Sequence, residues 1–205
     1  IYLQSLSSMV PPIVLNPKAG EKILDLTAAP GSKTTQLAGI MNNEGYILAN
    51  ELDKIRCERL KHNVEVQGAT IVEVINSRGE KLGETYENYF DKVLLDTPCS
   101  GEGRFLAYSS ATYRDWSLKT VNQLTKLQRK LFDSAYKAVK TGGTIVYSTC
   151  TINKNENEFI LEWILNNYKV KLSDINLNIK DSIQGSNEGL NREIEKSIKI
   201  LPSKD

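Results

Sequence analysis

The sequence has one histidine, His62, and three cysteines, Cys57, Cys99 and Cys150, with no C-x-x-C pair among them. That scarcity excludes a disulfide framework and a zinc site, so no metal is expected. It also turns attention from histidine-based hydrolases to thiol and carboxylate chemistry. Charge of either sign is not in excess, since 26 Lys and Arg face 25 Asp and Glu for a net +1. Attraction for a polyanion must therefore come from a local patch or from regions outside this chain. No apolar run nears the ~20 residues that span a bilayer, and no secretory leader opens the chain. No membrane partner is expected, and the reduced thiols suit the cytoplasm, or a nuclear or organellar compartment. G-x-G-x-x-G and G-x-x-x-x-G-K-[ST] are both missing, which counts against a dinucleotide or phosphate-loop module. There are no internal repeats.

What is present is an alternation of short apolar runs with helical patterns. The 205 residues, 40% apolar, suit one α/β domain. Residues 1–20, broken by Pro11, Pro12 and Pro17, read as an incoming segment with a short helix. Residues 21–205 read as the catalytic domain, poorly defined from about residue 170. Strands are predicted near 22–26, 46–50, 71–75, 92–95 and 144–149, and Ile198–Leu201 reads as one more. Helices are predicted over 34–41, 51–67 with Ile55, Leu60 and Val64 near one face, and 155–168 with Phe159, Trp163 and Ile164 buried. The longest carries the stripe Leu118, Val121, Leu124, Leu127, Leu131, Ala135 and Ala138, and Gly142-Gly143 is expected to stop it. Residues 76–88 read as polar loop. This pattern predicts a mostly parallel, doubly wound sheet, its last strand missing or incomplete.

Ligands of such sheets bind outside the carboxyl ends of the strands. The residues that carry chemistry all fall at such ends. The turn Thr27–Lys33 after Asp25 lets main chain approach a ligand at a helix N-terminus. Glu51, 20 residues after Gly31, stands where an acid meets the ribose hydroxyls of a nucleoside cofactor; a helix-start acid is the plain alternative. Asp96-Thr97-Pro98-Cys99 joins a strand-end carboxylate to a thiol, and Cys150 places a second thiol at the end of the next strand. Cys57 reads as a small buried hydrophobe. A thiolate that adds to C6 of cytosine makes C5 nucleophilic enough to accept a methyl group, and a carboxyl group near N3 and N4 supports that charge flow.

Three ordered blocks carry a resemblance: Thr27-Ala-Ala-Pro-Gly-Ser-Lys-Thr34, Leu95-Asp-Thr-Pro-Cys-Ser-Gly-Glu-Gly103 and Tyr147-Ser-Thr-Cys-Thr151. They are similar to the signatures of the Sun-type (nucleolar-antigen/Sun) RNA 5-methylcytosine methyltransferases. Asn42–Glu51 looks most like the branch of the bacterial ribosomal small-subunit methyltransferase F. The resemblance implies a Rossmann-like class I fold, S-adenosylmethionine as cofactor, and ribosomal or transfer RNA as partner. It implies a monomer whose further RNA-binding regions lie outside this chain. It makes Cys150 the nucleophile and Cys99 the thiol that aids release, whereas in DNA cytosine methyltransferases the P-C cysteine attacks. Residues Thr27, Ala28, Ala29, Pro30, Gly31, Ser32, Lys33, Glu51, Arg56 and Asp96 are implied cofactor contacts, with Lys33 also near the target base and Asp96 also catalytic. The adenine edge falls to Arg78 by ungapped alignment, with Asn76 or Ser77 as substitutes. The loop Arg104-Phe105-Leu106-Ala107-Tyr108 is one residue longer and less basic than the family's. A non-catalytic RNA-binding or assembly factor that kept the fold is the alternative reading.

Overall fold

The computed structural model describes residues 3–106 and 108–201. The chain forms two compact units, one from the residues up to Thr97 with Lys130–Ser148, the other from Pro98–Arg129 with the residues from Thr149 onward.

The first unit opens with helix α1 (Leu6–Leu15), capped by the Ser5 side chain and closed by Asn16 in the left-handed conformation. Then come β1 (Lys22–Asp25), α2 (Ser32–Ile40), β2 (Tyr46–Asn50), α3 (Lys54–Val66), β3 (Val72–Ile75), α4 (Gly79–Thr85) and β4 (Phe90–Asp96). Helix α5 (Leu118–Ala138) runs directly into β5 (Val139–Ser148). The five strands form a parallel sheet in the order β3-β2-β1-β4-β5. Ile23, Leu24, Ile47, Leu48, Val93, Leu94 and Leu95 are fully buried, because a sheet covered on both faces needs continuous apolar runs rather than alternation. The chain moves outward from β1 to β3 and then returns to β4 on the other side of β1, which places the topological switch between β1 and β4.

Four sequence expectations change here. Residues 79–85, read as loop, form α4, whose buried glycines Gly79 and Gly83 lie against the last turns of α5. Gly142-Gly143 lies within β5 and does not stop the helix; α5 ends at Ala138, and β5 begins five residues earlier than expected, pairing Val139 with Phe90 across a register shift. On α3, Ile55 is 68% exposed and Cys57 takes its place beside Leu60 and Val64, the spacing i, i+3, i+7 that makes one helical face. Cys57 is thus the buried small hydrophobe expected.

The second unit holds the loop after β4 and the first half of α5. It continues through helix α6 (Glu158–Asn167) and a two-stranded antiparallel sheet of β6 (Ser182–Gln184) and β7 (Ile198–Ile200). The strand expected at 198–201 is therefore β7, paired with β6 and outside the five-stranded sheet. On α6 the buried face is Ile160 and Ile164, while Phe159 is 44% exposed and Trp163 half-buried. The four-residue step from Ile160 to Ile164 turns Phe159 outward. Leu118, at the start of α5, is exposed, and Val121 begins the buried stripe.

Candidate active site

In the first unit, the carboxyl ends of β1 and β4 meet at the topological switch, and Asp25 and Asp96 stand there. Asp25 is buried and accepts from Thr34 Oγ1 at 2.7 Å. Asp96 accepts from Ser148 Oγ at 2.7 Å and pairs with Lys33 Nζ at 2.8 Å, and its main-chain oxygen accepts from Thr27 Oγ1. The turn Thr27–Lys33 closes over this spot and lines a small cleft with both acids. Gly31 makes the turn possible: its φ is +106°, and a Cβ there would lie 2.9 Å from Leu60 Cδ1. Helix α2 starts at the next residue and directs its N-terminus into the turn.

The neighbouring strand end is tied to the same turn. Glu51 is buried, accepts from Asp53 N at 2.9 Å, and lies 3.5 Å from Arg56 Nη1. Arg56 in turn donates to Ala29 O at 2.9 Å. Asn76 donates to the main-chain oxygens of Glu51 and Leu52, and Ser77 N donates to Asn50 Oδ1. Arg78 is exposed and pairs with Glu80 at 3.4 Å.

Burial pushes the Asp25 carboxyl up to about 7, against the Thr34 hydrogen bond, and nearby Asp96 adds to the rise. The folded chain therefore keeps a proton that an unfolded Asp, with its ordinary value of 3.8, loses. Stability contributed by this group is complete below pH 4 and is lost as pH rises toward 7. Urea unfolding across pH 5 to 8 should show this decline, on the order of a few kcal/mol at ~1.4 per pH unit. Asp25→Asn should flatten it; an unchanged slope would remove Asp25 as its source.

In the second unit the two thiols come together. The Sγ atoms of Cys99 and Cys150 are 3.0 Å apart, and Cys150 N donates to Cys99 Sγ at 3.2 Å. The hydrogen bond to Cys150 pushes the Cys99 thiol well above its ordinary range, with burial adding to the rise. Either sulfur can donate in this contact, and Cys150 is the exposed one of the pair. Gly103 N donates to Cys150 O, and a Cβ on Gly103 would sit 3.0 Å from that oxygen. Glycine lets the loop after Cys99 approach the Cys150 backbone without crowding that oxygen.

The sequence profile of the 16S rRNA methyltransferase RsmB/F family matches residues 12–205. The chain belongs to that family. A tRNA (cytosine(49)-C(5))-methyltransferase of Pyrococcus abyssi is 42% identical over 98% of the chain, which spans 65% of that relative's length. The ribosomal RNA small subunit methyltransferase F of Escherichia coli O157:H7 is 40% identical over 94% of the chain, which spans 40% of its length. The crystal structure of NSun6 from Pyrococcus horikoshii with SFG superposes with a TM-score of 0.79 at 32% identity, covering 93% of this chain and 47% of that one.

In this RsmB/F family member the structure gathers residues 27–33, Glu51, Arg56 and Asp96 in the first unit, and Cys99 with Cys150 in the second. Arg78 follows Asn76 and Ser77, which bond to the Glu51 strand end, and its own exposed side chain pairs with Glu80. The sequence reading missed Ser100, Gln128 and Glu156, a hydrogen-bonded cluster in the thiol-bearing unit in which Gln128 and Glu156 are fully buried. Gln128 lies between apolar positions of the α5 stripe, and Glu156 precedes α6 by two residues; a polar residue at a core-facing helical position was the available signal. Among the described residues no group of three His, Cys, Asp or Glu side chains could hold a metal, and no helix is long and apolar enough to cross a membrane.

Proposed function

We propose that this chain methylates C5 of cytosine in structured RNA, ribosomal or transfer RNA, using S-adenosylmethionine, with Cys150 as the nucleophile. The observation that carries this reading is the thiol pair, in which the exposed Cys150 sulfur lies 3.0 Å from the less exposed Cys99 sulfur. The exposed sulfur is the one a base can reach, and as thiolate it adds to C6 of a cytosine. Once Cys150 is bonded to carbon, the main cause of the raised Cys99 pKa disappears. Cys99 then releases its proton to solvent and becomes the base that takes the C5 proton.

The first-unit cleft fits the cofactor by its polar lining. The Asp25 and Asp96 carboxyl groups offer acceptors to its ammonium group, and the α2 N-terminus suits its carboxylate. Glu51 takes the ribose hydroxyls in this reading, which its ion pair with Arg56 supports by orienting the carboxylate. When bound, S-adenosylmethionine supplies the electrophilic methyl group. Asp96, paired with Lys33, is the carboxylate for the N3–N4 edge of the base.

For RNA, the segment 98–129 carries five basic side chains against Glu102 and Asp115, a local excess that the chain as a whole lacks. Exposed Tyr108, Tyr113 and Trp116 stand among them, side chains on which unpaired bases stack. Ala107 of this loop lies outside the described residues.

The test is transfer of a labelled methyl group from S-adenosylmethionine to transcripts of small-subunit ribosomal RNA and of tRNA, with 5-methylcytidine identified by mass spectrometry. Calorimetry should show that the chain binds S-adenosylmethionine and not NAD, and that Glu51→Ala weakens binding by about 1.5–3 kcal/mol, as for a charged hydrogen bond. RNA binding without methyl transfer would instead mark a non-catalytic assembly factor. Undiminished affinity in Glu51→Ala would take that residue out of the site.

A further inference from the structure

The second unit buries a carboxylate that the mechanism above leaves without a task. Glu156 ends a short 3₁₀ turn (Lys154–Glu156) and is fully buried. It accepts from Ser100 N at 3.0 Å, from Ser100 Oγ, and from Gln128 Nε2 at 3.0 Å. Gln128 Nε2 also donates to Pro98 O at 3.0 Å. The residues on either side of Cys99, Pro98 and Ser100, are therefore both held by one buried carboxylate–amide pair. Ser100 Oγ also shares a hydrogen bond of 2.9 Å with Thr151 Oγ1, on the residue after Cys150. Burying a carboxylate is costly unless several donors meet it, and here those donors belong to the segment that carries Cys99. An apolar side chain would fill this space without fixing that segment.

We infer that Glu156 is a positioning residue which fixes Cys99 against Cys150 and so sets the rate of product release. The inference rests on the reading that Cys99 acts in release. In that step the C5 proton passes to Cys99 Sγ. The C5–H electron pair re-forms the C5=C6 bond, the bond from C6 to Cys150 Sγ breaks, and Cys150 leaves as thiolate. The end state again places the two sulfurs side by side, as in the resting pair. A Cys99 sulfur displaced by about 1 Å would be badly placed for the proton, while Cys150 could still add to C6.

Glu156→Gln keeps the side-chain shape but turns an amide donor toward other donors. In single-turnover reactions with a tRNA or ribosomal RNA transcript and labelled cofactor, adduct formation should stay within about threefold of the native rate. Release should slow roughly ten- to hundredfold, the scale of a small misplacement, so that RNA–protein adduct appears on denaturing gels. The double variant Cys99→Ala/Glu156→Gln should release no more slowly than Cys99→Ala, because both changes act on one step. Ser100→Ala removes the hydroxyl link and keeps the backbone donor; it should delay release in the same direction by less, and it serves if Glu156→Gln does not fold. Native release in these variants, adduct formation slowed as much as release, or effects that multiply in the double variant would each overturn the inference. If Cys99→Ala itself traps nothing, the release assignment fails and this inference falls with it. If Cys99→Ala traps adduct and Glu156→Gln does not, only the role of Glu156 is lost.

Discussion

Replacing Cys150 with alanine should bring methyl transfer to background, a loss of at least about 10³-fold, as for removal of a covalent nucleophile. S-adenosylmethionine binding should survive, because the residues proposed to hold it belong to the first unit. Cys99→Ala should behave differently. The exposed Cys150 sulfur still adds to the base, but no thiolate is left to take the C5 proton, so labelled RNA should remain attached through denaturing electrophoresis. One gel with both variants separates the possibilities. Two merely structural cysteines would both lose stability and trap nothing. The arrangement of the DNA enzymes would trap adduct only when Cys150 is replaced. Methylation by Cys150→Ala would refute the nucleophile assignment.

Asp96→Asn should lower the turnover rate by roughly 10²–10³-fold, the scale of losing one preorganised charge partner at a reacting centre. Asp96 holds Ser148 through one oxygen and Lys33 through the other. The amide can keep one of these bonds but cannot balance the Lys33 ammonium, whose side chain is only 15% exposed. Stability should fall as well, by about 1–3 kcal/mol, since a partly buried cation loses its partner. Cofactor affinity and turnover measured on the same preparation distinguish the roles. A loss confined to affinity would restrict Asp96 to cofactor binding, and unchanged turnover would remove it from the chemistry.

The sheet was legible in the sequence because its strands are nearly continuous apolar runs, and such runs end where polar site residues begin. The run Ile23-Leu24 ends at Asp25, Ile47–Ala49 at Asn50 and Glu51, and Val93–Leu95 at Asp96. Helix α4 was illegible for the opposite reason. In Gly79–Thr85 the buried positions are largely glycines, which carry no hydrophobic signal. A Cβ on Gly83 would lie 2.4 Å from Ser134 O, so the packing that needs the glycine also hides the helix. The Glu156 cluster escaped for a related reason. Its partners lie 28 and 56 positions away in sequence, and charge patterning cannot tell a carboxylate in the core from one in water. Cys57, Cys99 and Cys150 were sorted correctly into one buried thiol and a neighbouring pair, because strand ends are where a parallel sheet exposes chemistry.

Helix α1 bears on where such a protein can be cut. Residues 1–20 read in sequence as an incoming segment, but Ser8 Oγ accepts from the Lys33 ammonium at 3.0 Å and Met9 O accepts from Gln36 at 2.9 Å. Asn16 O accepts from Lys92 at 2.7 Å. An engineer who trims the scaffold to begin at β1, or grafts the sheet into another host, removes the Ser8 hydroxyl that holds the cleft's lysine beside Asp96. The smallest transplantable scaffold thus starts before Ser5, the residue that caps α1, rather than at the first strand.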